Sequence, residues 1–150
     1  MSISNFLNED QVVFLKGNTR DEVINELIDN LDSKGKLPDK AIFHQAILER
    51  EKIVSTGIGM GVAIPHSKLQ GYKQFFIALG IHREGIDWQS LDGDPVHLVF
   101  MIGGPDQQQT KYLQLLSNLT SVIKDETLRQ YLLKASTSEE VMERIQSEST

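Results

Sequence analysis

The chain has no cysteine among its 150 residues, which excludes disulfides, thiolate nucleophiles, thiolate zinc sites and iron–sulfur ligation together. A reducing, cytoplasmic setting fits that absence. Long apolar runs are also missing. None is longer than Leu98 to Ile102, far shorter than the roughly 18 residues of a spanning helix, so no membrane insertion is expected. Glu9 and Asp10 fall where a secretory leader would need an unbroken apolar run, and no signal peptide is predicted. There is no basic block either. A net charge of −6 argues against nucleic-acid binding, which relies on clustered Lys and Arg to neutralise phosphates.

What is present suffices for one ordinary core. Hydrophobic residues make up 39% of the chain, and a chain of this length can bury roughly 68–70% of the surface its unfolded form exposes. One domain over residues 1–150 is predicted. Val12 to Leu15 is a strand candidate. Thr19 to Glu22 forms a capping box ahead of Val23, Ile24, Leu27, Ile28 and Leu31, and Gly35 ends that helix. A second helix follows Pro38 and Asp39, with Phe43, Ala46 and Ile47 on one face and Arg50 continuing the stripe. Alternation from Gln74 to His82 predicts a strand with one well-buried face. Val96 to Ile102 predicts another, ended by Gly103, Gly104 and Pro105. Tyr112, Leu115, Leu116, Leu119, Val122 and Ile123 share one face of a long helix, Asp125 opens a shorter one, and Ser136 to Glu139 caps the last. Interspersed helices and strands give an α/β class, a sheet with helices on its faces.

Thr56-Gly-Ile-Gly-Met-Gly-Val-Ala-Ile-Pro-His66 is the most unusual stretch. It lacks the Lys-Ser/Thr of a phosphate-binding Walker loop and has Val62 where a dinucleotide fingerprint needs glycine, so a structural turn explains the glycines as a bare pattern. His44, His66, His82 and His97 show no metal-ligand spacing, and neither a metal nor a cofactor is expected. His44, His82 and His97 are read as structural or surface histidines. His66 differs, because Pro65 restrains the backbone that presents it. Neutral imidazole is nucleophilic near pH 7 and can accept a phosphoryl group, and a nearby guanidinium would stabilise the transferring oxygens. Arg50 is the candidate for that guanidinium. The alternative is a helix-end arginine whose stem lies along the core edge while its head reaches water.

Arg50-Glu51-Lys52, the Thr56 to Lys68 stretch, Pro95 to Phe100 and the Pro105-Asp-Gln segment together resemble the fructose/mannitol-type EIIA domain of the phosphoenolpyruvate-dependent phosphotransferase system. The likeness runs through nearly the whole chain. It is greatest to the freestanding nitrogen-regulatory members, since no EIIB or EIIC segment is attached. The resemblance implies a mixed five-stranded sheet flanked by helices, phosphorylation of His66 on Nε2 and steadying of the phosphoryl oxygens by Arg50. Thr56, Gly57, Gly59, Met60, Gly61 and Tyr112 would support or line the site. The implied donor is a phosphohistidine carrier of the HPr or NPr type.

Two positions depart from the family pattern. Met60 stands where asparagine is usual, replacing an amide by a thioether able to offer apolar contact area. Tyr112 stands where a second histidine is common, and a phenol can donate one hydrogen bond but cannot become cationic. Ser67 in place of a common glycine is the lesser change. The expected output is a regulatory switch acting on a target protein. The alternatives are a sugar-uptake EIIA that passes phosphate to a separate EIIB, and an interaction module that keeps the fold without efficient transfer.

Overall fold

Burial on both faces of one sheet organises the molecule. The computed structural model describes residues 2–147. Its strands are β1 (Val12–Phe14), β2 (Gly57–Gly59), β3 (Val62–Ala63), β4 (His66–Leu69), β5 (Phe76–Ile86) and β6 (Val96–Pro105). Its helices are α1 (Arg20–Ser33), α2 (Lys40–Ile53), α3 (Gln109–Lys124), α4 (Glu126–Lys134) and α5 (Ser138–Ser147). The strand order is β1-β5-β6-β3-β2, with β4 also on β6. β1 is parallel to β5, β5 antiparallel to β6, and β3 and β4 both parallel to β6. The sheet is therefore mixed, as expected.

Five positions run across it, because β3 and β4 share one. Ala63 pairs with Val99 and His66 with Ile102, so the register along β6 is unbroken and Pro65 divides the segment only by lacking an N–H to donate. His66 thus opens a strand instead of following one. β4 pairs only with β6 among the described residues, which leaves its outer edge without a strand partner.

Alternate residues of the central strands feed opposite cores. Ile77, Leu79, Ile81, Leu98, Phe100 and Ile102 pack with Leu115 and Leu119 of α3 and with α4 and α5. Ala78, Val99 and Met101 pack with Val23, Ile24, Leu27, Phe43 and Ile47 of α1 and α2. The expectation of one buried face for the 74–82 strand is corrected accordingly: β5 is buried on both sides from Phe76 to His82, because helices cover both. Each fully buried aliphatic side chain contributes roughly 1.5–3 kcal/mol.

The helix caps follow the local chemistry. Thr19 Oγ1 accepts the Glu22 N–H at 3.2 Å and Asp39 Oδ1 accepts that of Ile42 at 3.1 Å. The last helix is capped one residue later than expected, by Thr137, whose Oγ1 accepts the Glu140 N–H at 3.1 Å while Glu140 reaches back to the Ser136 N–H at 3.2 Å. The capping pair is 137/140 because α5 begins only at Ser138.

β6 does not stop at Ile102 but runs through Gly103 and Gly104 to Pro105. The glycines extend the strand because aromatic rings fill the room a side chain would take: Phe76 and Phe43 lie against Gly103, and Phe75 against Gly104. Gly103→Ala and Gly104→Ala should each destabilise the fold by about 1–3 kcal/mol through overpacking, read as a lower midpoint in urea at unchanged slope.

Candidate functional site

His66 sits at the start of β4, half-buried. Its Nδ1 lies 2.8 Å from the carbonyl oxygen of Ile64. A carbonyl can only accept, so Nδ1 carries the hydrogen; in the neutral ring Nε2 is then the nitrogen with a free lone pair. The Pro65 carbonyl accepts the Ile102 N–H at 2.9 Å, which ties the turn before His66 to β6.

His66 pairs with Ile102, a residue of the α3-side core, so the imidazole belongs to that side of the sheet. Two residues on, Lys68 shares its side. Lys68 Nζ donates to Gln109 Oε1 at 2.8 Å and stands 4.2 Å from the centroid of the Tyr112 ring. Tyr112 is 7% exposed and stacks on Phe75, with centroids 5.7 Å apart. Burial pushes the Tyr112 phenol above its ordinary value, and the Arg50 guanidinium pulls against that rise. Arg50 approaches from the last turn of α2, where its Nη1 donates to the Val54 carbonyl at 2.8 Å. The charge of Arg50 on α2 is therefore felt by Tyr112 on α3, on the other side of the sheet, while Lys68 is the cation that stands over the ring itself.

The buried stripe of α2 runs Phe43, Ile47, Glu51, so Glu51 continues it most deeply and Arg50 lies at its half-buried margin. Glu51, 4% exposed, accepts the Thr56 N–H at 3.2 Å and the Thr56 hydroxyl. Trp88 Nε1–H donates to Thr56 Oγ1 at 3.3 Å. The Thr56 carbonyl accepts the Ile64 N–H at 3.0 Å, so Thr56 supports the same peptide segment that holds the imidazole. Sequence reasoning gave Glu51 and Trp88 no role. The available signal for Glu51 was its place eight residues after Phe43, on the core-facing stripe.

The glycine turn is the β2–β3 hairpin. Gly57 is packed on Ser90. Gly59, Met60 and Gly61 all have positive φ, 97°, 60° and 74°, and the Met60 N–H bonds Asp92 Oδ2 at 3.2 Å. Positive φ is strained for methionine, and Asp92 helps hold it. The Gly61 carbonyl accepts from His97 and Leu98 N–H at 2.8 and 3.0 Å, whereas His66 is level with Ile102. At about 3.3 Å per residue the hairpin tip and the imidazole stand roughly 15 Å apart along β6. Gly59, Met60 and Gly61 thus stand well away from His66. Met60, 47% exposed, lines a groove of about 350 Å³ with Asp94, His97, Arg129 and Leu133.

Two of the other histidines, His82 and His97, have backbone partners. His82 Nε2 donates to the Gly17 carbonyl at 2.9 Å while its Nδ1 accepts the Gly85 N–H at 2.9 Å, and His97 Nδ1 donates to the His82 carbonyl at 3.0 Å. No helix among the described residues is long and apolar enough to cross a membrane.

The sequence matches the family described as "Phosphoenolpyruvate-dependent sugar phosphotransferase system, EIIA 2" over residues 5–148. It is 39% identical over 129 residues to the "PTS system fructose-specific EIIABC component" of Bacillus subtilis, covering 86% of this chain but 20% of that protein. The chain therefore spans about a fifth of that relative's length. The "PTS system fructose-specific EIIA component" of Haloferax volcanii is 34% identical, covering 83% of this chain and 81% of its own. The "Nitrogen regulatory protein" of Bradyrhizobium diazoefficiens is 31% identical, covering 79% and 76%. Among solved structures, the nitrogen regulatory protein IIA-Ntr of Neisseria meningitidis superposes with a TM-score of 0.87 at 30% identity, covering 95% of this chain and 98% of that one.

The phenol's shift has a definite sign. Because burial raises the folded-state value, Tyr112 contributes stability that is fully present below the unfolded value near 10 and is lost as pH rises through the folded one. Ring-labelled tyrosine NMR should show Tyr112 ionising above the ordinary tyrosine range, and Arg50→Gln should push it higher still by removing the cation. A downward shift in Arg50→Gln would contradict this contact.

Proposed function

Because the chain belongs to the phosphoenolpyruvate-dependent sugar phosphotransferase system EIIA 2 family, a family of phosphoryl-transfer components, we propose that His66 is its phosphoryl acceptor. The observation that carries this is the Nδ1–H bond to the Ile64 carbonyl at 2.8 Å, which leaves the Nε2 lone pair for attack on phosphorus. As the Nε2–P bond forms, the P–N bond of the phosphohistidine donor breaks. Its electron pair returns to the donor imidazole, which takes a proton from solvent. The positive charge that spreads over the His66 ring is stabilised where Nδ1–H meets the carbonyl dipole.

Arg50 exchanges the Val54 carbonyl for phosphoryl oxygens, offering two parallel N–H groups to a charge that is delocalised over them. Tyr112, neutral near pH 7 as any phenol is, offers its O–H as a donor toward that charge. Lys68 adds a second positive centre. Thr56 and Gly57 act from behind, through the segment that carries Ile64. Met60, presented by Gly59 and Gly61, offers apolar contact to a partner at the far end of the strand. We take the 150 residues to work as one cytoplasmic EIIA unit.

The donor in this proposal is a carrier of the HPr or NPr type, and the output is regulatory. Similarity to the nitrogen regulatory proteins of Neisseria meningitidis and Bradyrhizobium diazoefficiens supports that output. Adding about −1.5 to −2 charges to an already acidic protein changes which target surface fits its active face. The fructose-specific relatives support a second reading, in which phosphate passes to a separate EIIB for sugar uptake.

Incubation with phosphoenolpyruvate, enzyme I and each native carrier should give acid-labile, base-stable label on the wild type and none on His66→Ala. Label that survives His66→Ala would move the acceptor elsewhere. Absence of label with every carrier would leave only an interaction module. A chase of labelled protein with EIIB and fructose separates uptake from regulation. Arg50→Lys should stay folded yet accept phosphate roughly tenfold to a hundredfold more slowly, since a point charge replaces a planar fork; an unchanged rate would make Arg50 structural.

A further inference from the structure

We infer that Glu51 is a positioning residue, holding the peptide segment that fixes the tautomer and orientation of His66; this rests on His66 as the acceptor. Glu51 occupies the third place of a stripe whose first two members, Phe43 and Ile47, are fully buried core residues. An aliphatic side chain there would extend the core at no electrostatic cost, whereas a buried carboxylate persists only where its oxygens are satisfied. Both oxygens are spent on a single residue: Oε2 accepts the Thr56 N–H and Oε1 the Thr56 hydroxyl. Of the common side-chain groups, an ionised carboxylate is the one that takes a backbone and a hydroxyl donor together while donating nothing. It thereby fixes the main chain and the rotamer of Thr56 at once.

The fixed hydroxyl then has a lone pair aimed at the fully buried Trp88, which donates Nε1–H at 3.3 Å. Trp88 returns a tie to the same segment, because its carbonyl accepts the Ser55 hydroxyl at 2.7 Å and Ser55 Oγ accepts the Gly57 N–H at 3.0 Å. From Thr56 the chain of bonds leads on. Its carbonyl accepts the Ile64 N–H at 3.0 Å, and the Ile64 carbonyl accepts His66 Nδ1–H at 2.8 Å. Ile64 thus presents both ends of its backbone to this network, one held and one holding. Arg50, the preceding residue of the same helical turn, grips Val54 at 2.8 Å. Adjacent residues of opposite charge therefore fix positions 54 and 56, and the chain leaving α2 has little freedom to tilt the Ile64 peptide. Glu51 itself touches no reacting atom.

The test reads the His66 ring nitrogens directly, by long-range nitrogen–proton correlation NMR on the whole labelled protein, and needs no phosphoryl donor. Wild type and Thr56→Ser, which keeps the hydroxyl, should show the Nδ1–H tautomer. Glu51→Met, of similar length and uncharged, should show a mixture of both tautomers, and its rate of phosphate acceptance should fall roughly tenfold while the fold is retained. Thr56→Val should do the same and replaces Glu51→Met if that variant fails to fold. A folded variant with wild-type tautomer, whatever its rate, or with a mixed tautomer and an unchanged rate, would overturn the inference and leave Glu51 a stabilising residue only. If the wild type takes no phosphate from any carrier, the transfer reading fails, whereas an unaltered tautomer in the variants defeats the positioning role on its own.

Discussion

The bond from His66 Nδ1 to the Ile64 carbonyl decides what this imidazole can do. It assigns the free lone pair to Nε2, and it can do so only while the Ile64 peptide faces the ring. That requirement reaches back through Pro65, which lacks an N–H to donate and so interrupts the ladder without breaking its register along β6. It reaches outward to β6, whose Ile102 N–H closes on the Pro65 carbonyl. The sheet is in this sense an anchor for one imidazole.

The groups of the candidate site come from three layers. α2 supplies Arg50 from one face, β4 supplies His66 and Lys68, and α3 supplies Tyr112 and Gln109 from the other face. Such convergence is feasible only at an edge of the sheet, where a side chain can reach around the last strand. Interior strands, buried on both faces, have no room for it. The paired cores on either side keep α2 and α3 in place, so the arrangement of charge depends on apolar packing some distance from the chemistry.

Much of this was legible in the residues. Helical spacing located α1, α2 and α3 because each buries one stripe, and the Thr19 cap was evident because its side-chain oxygen accepts from the N–H three residues on. His66 and Arg50 stood out for their chemical type and their place beside a glycine-rich turn and on an apolar stripe. Glu51 did not, because no rule of pattern expects a charged side chain at a core position; its partner Thr56 is 5 positions away, and Trp88, which bonds Thr56 in turn, lies 37 positions from Glu51 and joins them only in the fold. The end of β6 was misjudged for a related reason. Gly103 and Gly104 signal a turn locally, whereas here they make space for Phe75 and Phe76, which lie at the start of the neighbouring strand β5 and just before it. The separation of the glycine hairpin from His66 was equally hidden, since closeness along an extended chain is not closeness in space.

The open edge of β4 has a further consequence, for solubility. An exposed edge strand is a template on which another chain can add, and proteins escape this with short strands, proline and lysine at the edge. β4 has only 4 residues, follows Pro65 directly and carries Lys68 in its middle. The short strand that begins at His66 therefore denies its own edge to unwanted strands, and an edge left open in the sheet does not become a seed for aggregation.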